Sequence, residues 1–189
     1  MSYTEIVGFD KEGEAYIVAA ISNSWRGASA IWSILEEKYL PPYRPDYVPK
    51  EIPDEKVEEW CRYKPSRNCC MKIEPMHEIW DLVDSKDVLE SERIVLFTTF
   101  DKCLVKKENL EKTIRAFRDF DGETSLTEQA DVLEKMLNDE NCIAVGWNQT
   151  SVSTNQWTNH SYDEESGDSI PYNCLTGKVH YWLFDEFKL

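Results

Sequence analysis

Cys61, Cys69, Cys70 and His77 fall within 17 residues of one another, and thiolates with an imidazole at that density raise zinc as the first chemistry to consider. The spacing argues against it. Neither side forms the C-x2-C pair of common zinc sites, adjacent cysteines rarely reach one ion together, and His77 stands three residues before Trp80, where the two rings share a helical face. Thiols in the core or at the surface, with no metal and no cofactor, are the expectation. A cysteine hydrolase would need one thiol, one of His77, His160 or His180, and an orienting acid brought together by the fold. Cys174, in a loop ahead of Gly177, is the first candidate nucleophile, but six cysteines and three histidines offer many pairs and the spacing selects none. Phosphate-binding loops of the form G-x-x-x-x-G-K-[ST] or G-x-G-x-x-G are missing from a chain with only seven glycines. Asp163, Glu164, Glu165 and Asp168 could gather a divalent cation, yet they lack the D-x-[DN]-x-[DN]-G calcium spacing and read as a solvated acidic loop. No residue is therefore assigned a catalytic, cofactor-binding or metal-binding role.

The acids and aromatics carry the stronger signal. Formal net charge is -15, and residues 119–189 hold 14 acids against 3 bases, so most of the excess lies in the C-terminal third. Such a surface repels phosphate backbones and anionic lipid, which argues against direct nucleic-acid binding and membrane adhesion and favours a basic protein partner. Tyr43, Tyr47, Trp157 and Tyr162 lie in polar segments, and aromatics framed by polar groups anchor protein interfaces. With Asp163, Glu164, Glu165 and Asp168 they form the candidate partner-binding set. Trp157 carries two readings, an outward hot spot or an inward plug, and the plug is favoured because exposed large aromatics are uncommon.

The functional expectation is an acidic, non-catalytic protein-binding module. It would inhibit, neutralise or regulate a basic partner, such as a nuclease or another nucleic-acid-binding protein, by presenting spaced carboxylates where that partner expects phosphates. Immunity proteins and phage inhibitors of defence systems belong to this functional class. Two alternatives stand beside it: a small enzyme with a thiol or carboxylate site in a cleft between the N-terminal hairpin and the C-terminal sheet, and a structural or assembly subunit whose exposed aromatics meet their own copies. The polar start, Met1 to Glu5, and the short apolar run Ala15 to Ile21 do not resemble a signal peptide, and no stretch approaches the roughly 20 apolar residues of a membrane helix, so a cytoplasmic protein with reduced cysteines is expected.

At 189 residues, with 41% hydrophobic and 30% charged residues, the chain fits one domain. Thr4 to Phe9 and Ala15 to Ser22 read as a β-hairpin turned at Gly13, with AYIVAAIS as an inner strand. A helix capped among Ser22, Asn23 and Ser24 would align Trp25, Ala28, Trp32, Leu35 and Tyr39 on one face and end before Pro41. Residues 41–54 hold five prolines and read as an irregular, flexible connector. Short helices are predicted over Asp54 to Tyr63 and from Pro75, with Met76, Ile79, Trp80 and Val83 inward. RIVLFTTF, Arg93 to Phe100, reads as a central strand. Helices follow with Leu110, Ile114 and Phe117, then with Leu126, Ala130, Leu133 and Leu137, on their apolar faces, the second opened by a Ser125 to Glu128 capping box. Strands are predicted again from Cys142 to about Val152 and from Lys178 to Leu189, leaving Asn159 to Asp168 as a loop. The order specifies an α+β fold with one mixed or mainly antiparallel sheet and helices packed on it.

Overall fold

The computed structural model describes residues 2–69, 73–150, 155–177 and 181–189. Its N-terminal hairpin forms as the turn at Gly13 predicts: β1, Tyr3–Phe9, pairs antiparallel with β2, Ala15–Ser22. Gly13 makes the turn possible, since it adopts φ +83°, a region costly for side chains. The Gly13 N–H donates to the Asp10 carbonyl at 2.9 Å, and the Glu14 N–H to the Asp10 carboxylate at 2.8 Å.

The first helix, α1, spans Ala28–Tyr39 and buries Ala28, Ile31, Trp32 and Leu35. It begins later than the apolar stripe predicts. Ser24 and Trp25 both take positive φ, 40° and 70°, so the stripe breaks before it and Trp25 stays outside at 97% exposure. Short helices α2, Val57–Cys61, and α3, Glu74–Trp80, follow where expected.

RIVLFTTF is not a strand. It lies largely in α4, Glu90–Phe97, in which Ile94, Val95, Leu96 and Phe97 are all at most 1% exposed. Complete burial removes the periodicity that would separate helix from strand in so short an apolar run. Local chemistry decides instead: Glu90 and Glu92 sit in the first turn, where the helix dipole favours anions, and the Thr98 and Thr99 hydroxyls donate to the carbonyls of Val95 and Leu96 at 2.8 and 2.6 Å. The strand that follows is displaced to β3, Leu104–Lys106. Helices α5, Leu110–Asp119, and α6, Leu126–Leu137, match their predicted apolar faces. Ser125 stands at the N-cap of α6 without a side-chain capping bond; its hydroxyl accepts from Gln129 Nε2 at 3.0 Å instead.

With β4, Ala144–Gln149, the strands assemble in the order β2-β1-β4-β3, antiparallel throughout. The fold is α+β. Two expectations about position are corrected. AYIVAAIS is an edge strand, with Ile17 56% exposed, whereas β1 is central and pairs β4 directly. No cleft can therefore separate the hairpin from the sheet. In addition, Thr158–Tyr162 and Ser169–Pro171 are strands, β5 and β6, of a separate two-stranded ribbon. The loop between them is confined to residues 163–168.

The last segment departs furthest from its reading. Tyr181 makes a single parallel bridge to Cys103, and Asp185–Phe187 forms a 3-10 turn. Residues 178–180 lie outside the described residues. Its aromatics act as a plug: Tyr181 and Phe187 pack on Phe97 with ring centres 5.3 and 6.0 Å apart. Tyr181, Trp182, Leu183 and Phe184 are half-buried and Phe187 is buried, and an aromatic run covered by such irregular contacts carries the same hydrophobic signal as a two-sided strand.

One sheet face, through Ile6, Val105, Val145 and Trp147, packs on the helices; the other, through Val7, Phe9, Leu104 and Ala144, packs on Trp157, Tyr172 and Cys174. That second layer carries the candidate site.

Candidate partner-binding surface

Trp157 points inward. It is 2% exposed, its indole Nε1–H donates to the Trp147 carbonyl at 2.9 Å, and its ring meets Phe9 and Tyr172 edge-on at 5.0 and 5.4 Å. Gly146 makes the seat: a Cβ there would lie 2.7 Å from Trp157 Cζ2. The favoured plug reading is the one that holds: Trp157, also placed in the candidate partner-binding set, is unavailable to a partner and serves as the root of the β5–β6 ribbon. The Tyr172 N–H donates to the Trp157 carbonyl and the Ala15 N–H to the Tyr172 carbonyl, both at 2.9 Å, so backbone pairing fixes the ribbon root from two sides.

The tip is the outward part. Tyr162 is 66% exposed, and Asp163, Glu164, Glu165 and Asp168 are all exposed beside it. Residues 155–177 contain these four acids and no Lys or Arg. The turn is built rather than loose. Asp163 Oδ1 accepts the N–H groups of Ser166 at 2.8 Å and Glu165 at 3.0 Å, the Asp163 N–H donates to the Asp168 carbonyl at 2.8 Å, and Gly167 supplies φ +73°. Those Ser166 and Glu165 donations hold the Asp163 carboxyl below the usual carboxylate range, so its charge is fixed in place. This site is an oriented acidic turn with one exposed ring.

Tyr43 and Tyr47 lie elsewhere. The Tyr43 ring stacks under the buried Arg67 guanidinium at 5.3 Å and, with Arg44, Asp46 and Glu78, lines an open groove of about 560 Å³. Tyr47 is exposed, tilts against Trp60 with centres 6.4 Å apart, and shares a hydroxyl hydrogen bond with Tyr63. Trp60 and Tyr63, 45% and 55% exposed, are not among the residues that the sequence reading singles out. The helix expected over Asp54 to Tyr63 hides them; in the structure α2 is five residues long and buries Val57 alone, which leaves no face for Trp60.

No known family, curated protein or solved structure matches this chain. Its surface is therefore read from geometry alone.

The thiol reading loses its candidate. Cys174 is 3% exposed, and burial pushes its thiol up to about 11; Cys103 is fully buried and raised further by the same cause. Only the deprotonated thiol attacks, so at pH 8 iodoacetamide is expected to leave Cys174, Cys103 and Cys142 unmodified in the native protein and to modify them in urea. Peptide mapping checks this, and native modification of Cys174 would restore it as a nucleophile. Cys70 and His180 lie outside the described residues; among the described residues no group of three or more His, Cys, Asp or Glu could hold a metal ion, and no helix is long and apolar enough to cross a membrane.

Proposed function

We propose that this chain is an acidic, non-catalytic protein-binding module that inhibits, neutralises or regulates a basic protein, such as one that itself binds nucleic acid, in the manner of immunity proteins and phage inhibitors. The observation that carries the reading is the ribbon tip: four exposed carboxylates, one of them locked by backbone donors, beside an exposed Tyr162, with no Lys or Arg in residues 155–177. The Asp163 carboxylate, already held by backbone donors, costs less to order on binding than a free one, and a field of one sign steers a cationic surface into register. Tyr162 adds a desolvating contact at the centre. The Tyr47, Trp60 and Tyr63 rings offer a second contact area. Acting by occupation, such a protein needs no cofactor.

The test compares the chain with a variant carrying D163N, E164Q, E165Q and D168N. The amide introduced by D163N keeps the Oδ1 acceptor on which the turn depends, so charge changes while shape is retained. Immobilised wild-type protein is expected to hold a basic partner from lysate at low salt and release it as salt rises, and the variant to bind that partner about tenfold or more weakly. Retention that ignores both salt and the four substitutions would refute the reading.

A further inference from the structure

The outer edge of β2 and the turn after it form a second surface that the acidic ribbon does not explain. Beyond Ala15, whose N–H is taken by Tyr172, the edge from Tyr16 to Ser22 has no backbone partner among the described residues. Free edges are usually guarded by Lys, Pro or a twist. Here residues 15–25, AYIVAAISNSW, contain no charge and no proline; the one irregularity is a bulge at Val18, since Ile6 faces Ala19 and Val7 faces Ile17.

The turn adds an independent observation. Trp25 is 97% exposed and takes φ +70°, a region unfavourable for a bulky side chain. Backbone strain of this kind persists only where neighbours enforce it. They do so here. Buried Asn23 accepts from Thr4 Oγ1 at 2.7 Å, the Arg26 carbonyl accepts the Ser125 N–H at 2.9 Å, and the Arg26 guanidinium pairs with Glu128 at 2.9 Å. The corner is clamped at both ends, and the residue it holds out is the largest apolar side chain available. Glycine or asparagine would adopt that backbone more cheaply, so folding does not account for a tryptophan at this position.

We infer that the β2 edge pairs antiparallel with β2 of a second copy of this chain, across a two-fold axis, with Trp25 as its anchor. Antiparallel pairing of a strand with itself is self-complementary and satisfies the open edge of both copies at once. It brings the Ser22 end of each strand to the Tyr16 end of the other. Trp25, held out at the corner just past Ser22, then stands at the end of the pairing that meets the partner's hairpin turn, where Leu175, 55% exposed, lies against Gly13. Charge selects this edge for self-contact. Two molecules of net charge -15 repel, and residues 15–25 offer each other a backbone edge with no charged side chain of its own, flanked by Asp139 at the Tyr16 hydroxyl and by Glu5 across from Ala20. A basic partner would seek acids that this strip does not offer. The pairing is independent of the ribbon-tip reading, because the two respond to salt in opposite directions.

Analytical ultracentrifugation of the full chain, across a broad concentration range at low and high salt, tests it. A monomer–dimer equilibrium is expected that tightens as salt screens the net charge. I17K, A20K and W25S, all at exposed positions, are each expected to weaken it at least tenfold, with far-UV circular dichroism and melting unchanged. Amide exchange over residues 16–22 of the unmodified protein should slow as concentration rises, which reads the edge without any substitution. A monomer at every concentration in high salt, a dimer indifferent to all three variants, or an edge protected only by an extended segment of another protein would each overturn the inference.

Discussion

Trp157→Ala is expected to lower unfolding stability by about 3–5 kcal/mol, the range for deleting a large aromatic from a packed core. The ring is 2% exposed, spans the space above Gly146, and touches Phe9 and Tyr172. Alanine would leave a cavity bounded by the sheet on one side, which cannot move, and by the ribbon root on the other, which is held by pairing through Tyr172. Trp157→Phe separates the two contributions: it keeps most of the apolar volume but strips the Trp147 carbonyl of its indole donor at 2.9 Å, for a loss of about 1–3 kcal/mol. Urea denaturation of the three proteins measures both, and a loss below about 1 kcal/mol for the alanine variant would mean that the ring is not packed as described. Partner binding should fall in Trp157→Ala too, because the ribbon tip is aimed by its root. It should survive in Trp157→Phe, which keeps most of the ring volume, whereas neutralising the tip leaves stability intact and weakens binding.

That contrast shows where sequence reading succeeds and where it stops. Leu110, Ile114 and Phe117, and Leu126, Ala130 and Leu133, announce α5 and α6 because amphipathic helices on a surface must keep a 3.6-residue period. The hairpin is equally legible, since Gly13 in a polar turn between two β-rich runs has few other uses. RIVLFTTF and YWLFDEFKL, the described part of the last segment, are not, and for one reason: both are dense in apolar residues without a period, and hydrophobicity alone cannot separate strand, helix and plug. AYIVAAIS misleads differently. Its two apolar faces suggest an inner strand, but one face packs on the helices while Ile17 and Ala20 remain exposed. Trp25 and Trp157 show the same limit at the site. Trp25 fits a helical stripe and ends in solvent because Asn23 and Arg26 clamp a turn through Thr4 and Ser125; Trp157 sits in a polar run and ends in the core because Gly146 leaves room for it. Each outcome is set by residues that the local pattern does not reveal.

Arg67→Met is expected to cost about 3–5 kcal/mol, as large an effect as the loss of Trp157 and of a different kind. Glu36 and Arg67 are 9% and 4% exposed. One Glu36 oxygen accepts the Arg67 N–H at 2.8 Å and its guanidinium Nη1 at 3.1 Å, and the other accepts the Ser66 hydroxyl at 2.6 Å. Removing the guanidinium strands a carboxylate already withdrawn from water. Glu36→Gln with Arg67→Met removes both charges, so the double variant should be more stable than the two single losses predict, and a double-mutant cycle by urea denaturation reads that coupling. If Arg67→Met instead costs below about 1 kcal/mol, the pair behaves as an exposed one and water reaches it. The consequence extends to the surface. Arg67 also donates to the Pro41 carbonyl at 3.0 Å and to Glu78 at 2.9 Å, and lies over the Tyr43 ring, while Arg44 ties Asp54 at 2.6 Å and the Pro49 carbonyl at 2.6 Å. Five prolines restrict the conformations of residues 41–54, but these arginines select one of them. Limited proteolysis within residues 41–54 should therefore rise sharply in Arg67→Met under conditions where the rest of the fold persists. Tyr47 would lose its fixed place beside Trp60 with it, since a proline-rich chain holds a ring in position only while something holds the chain.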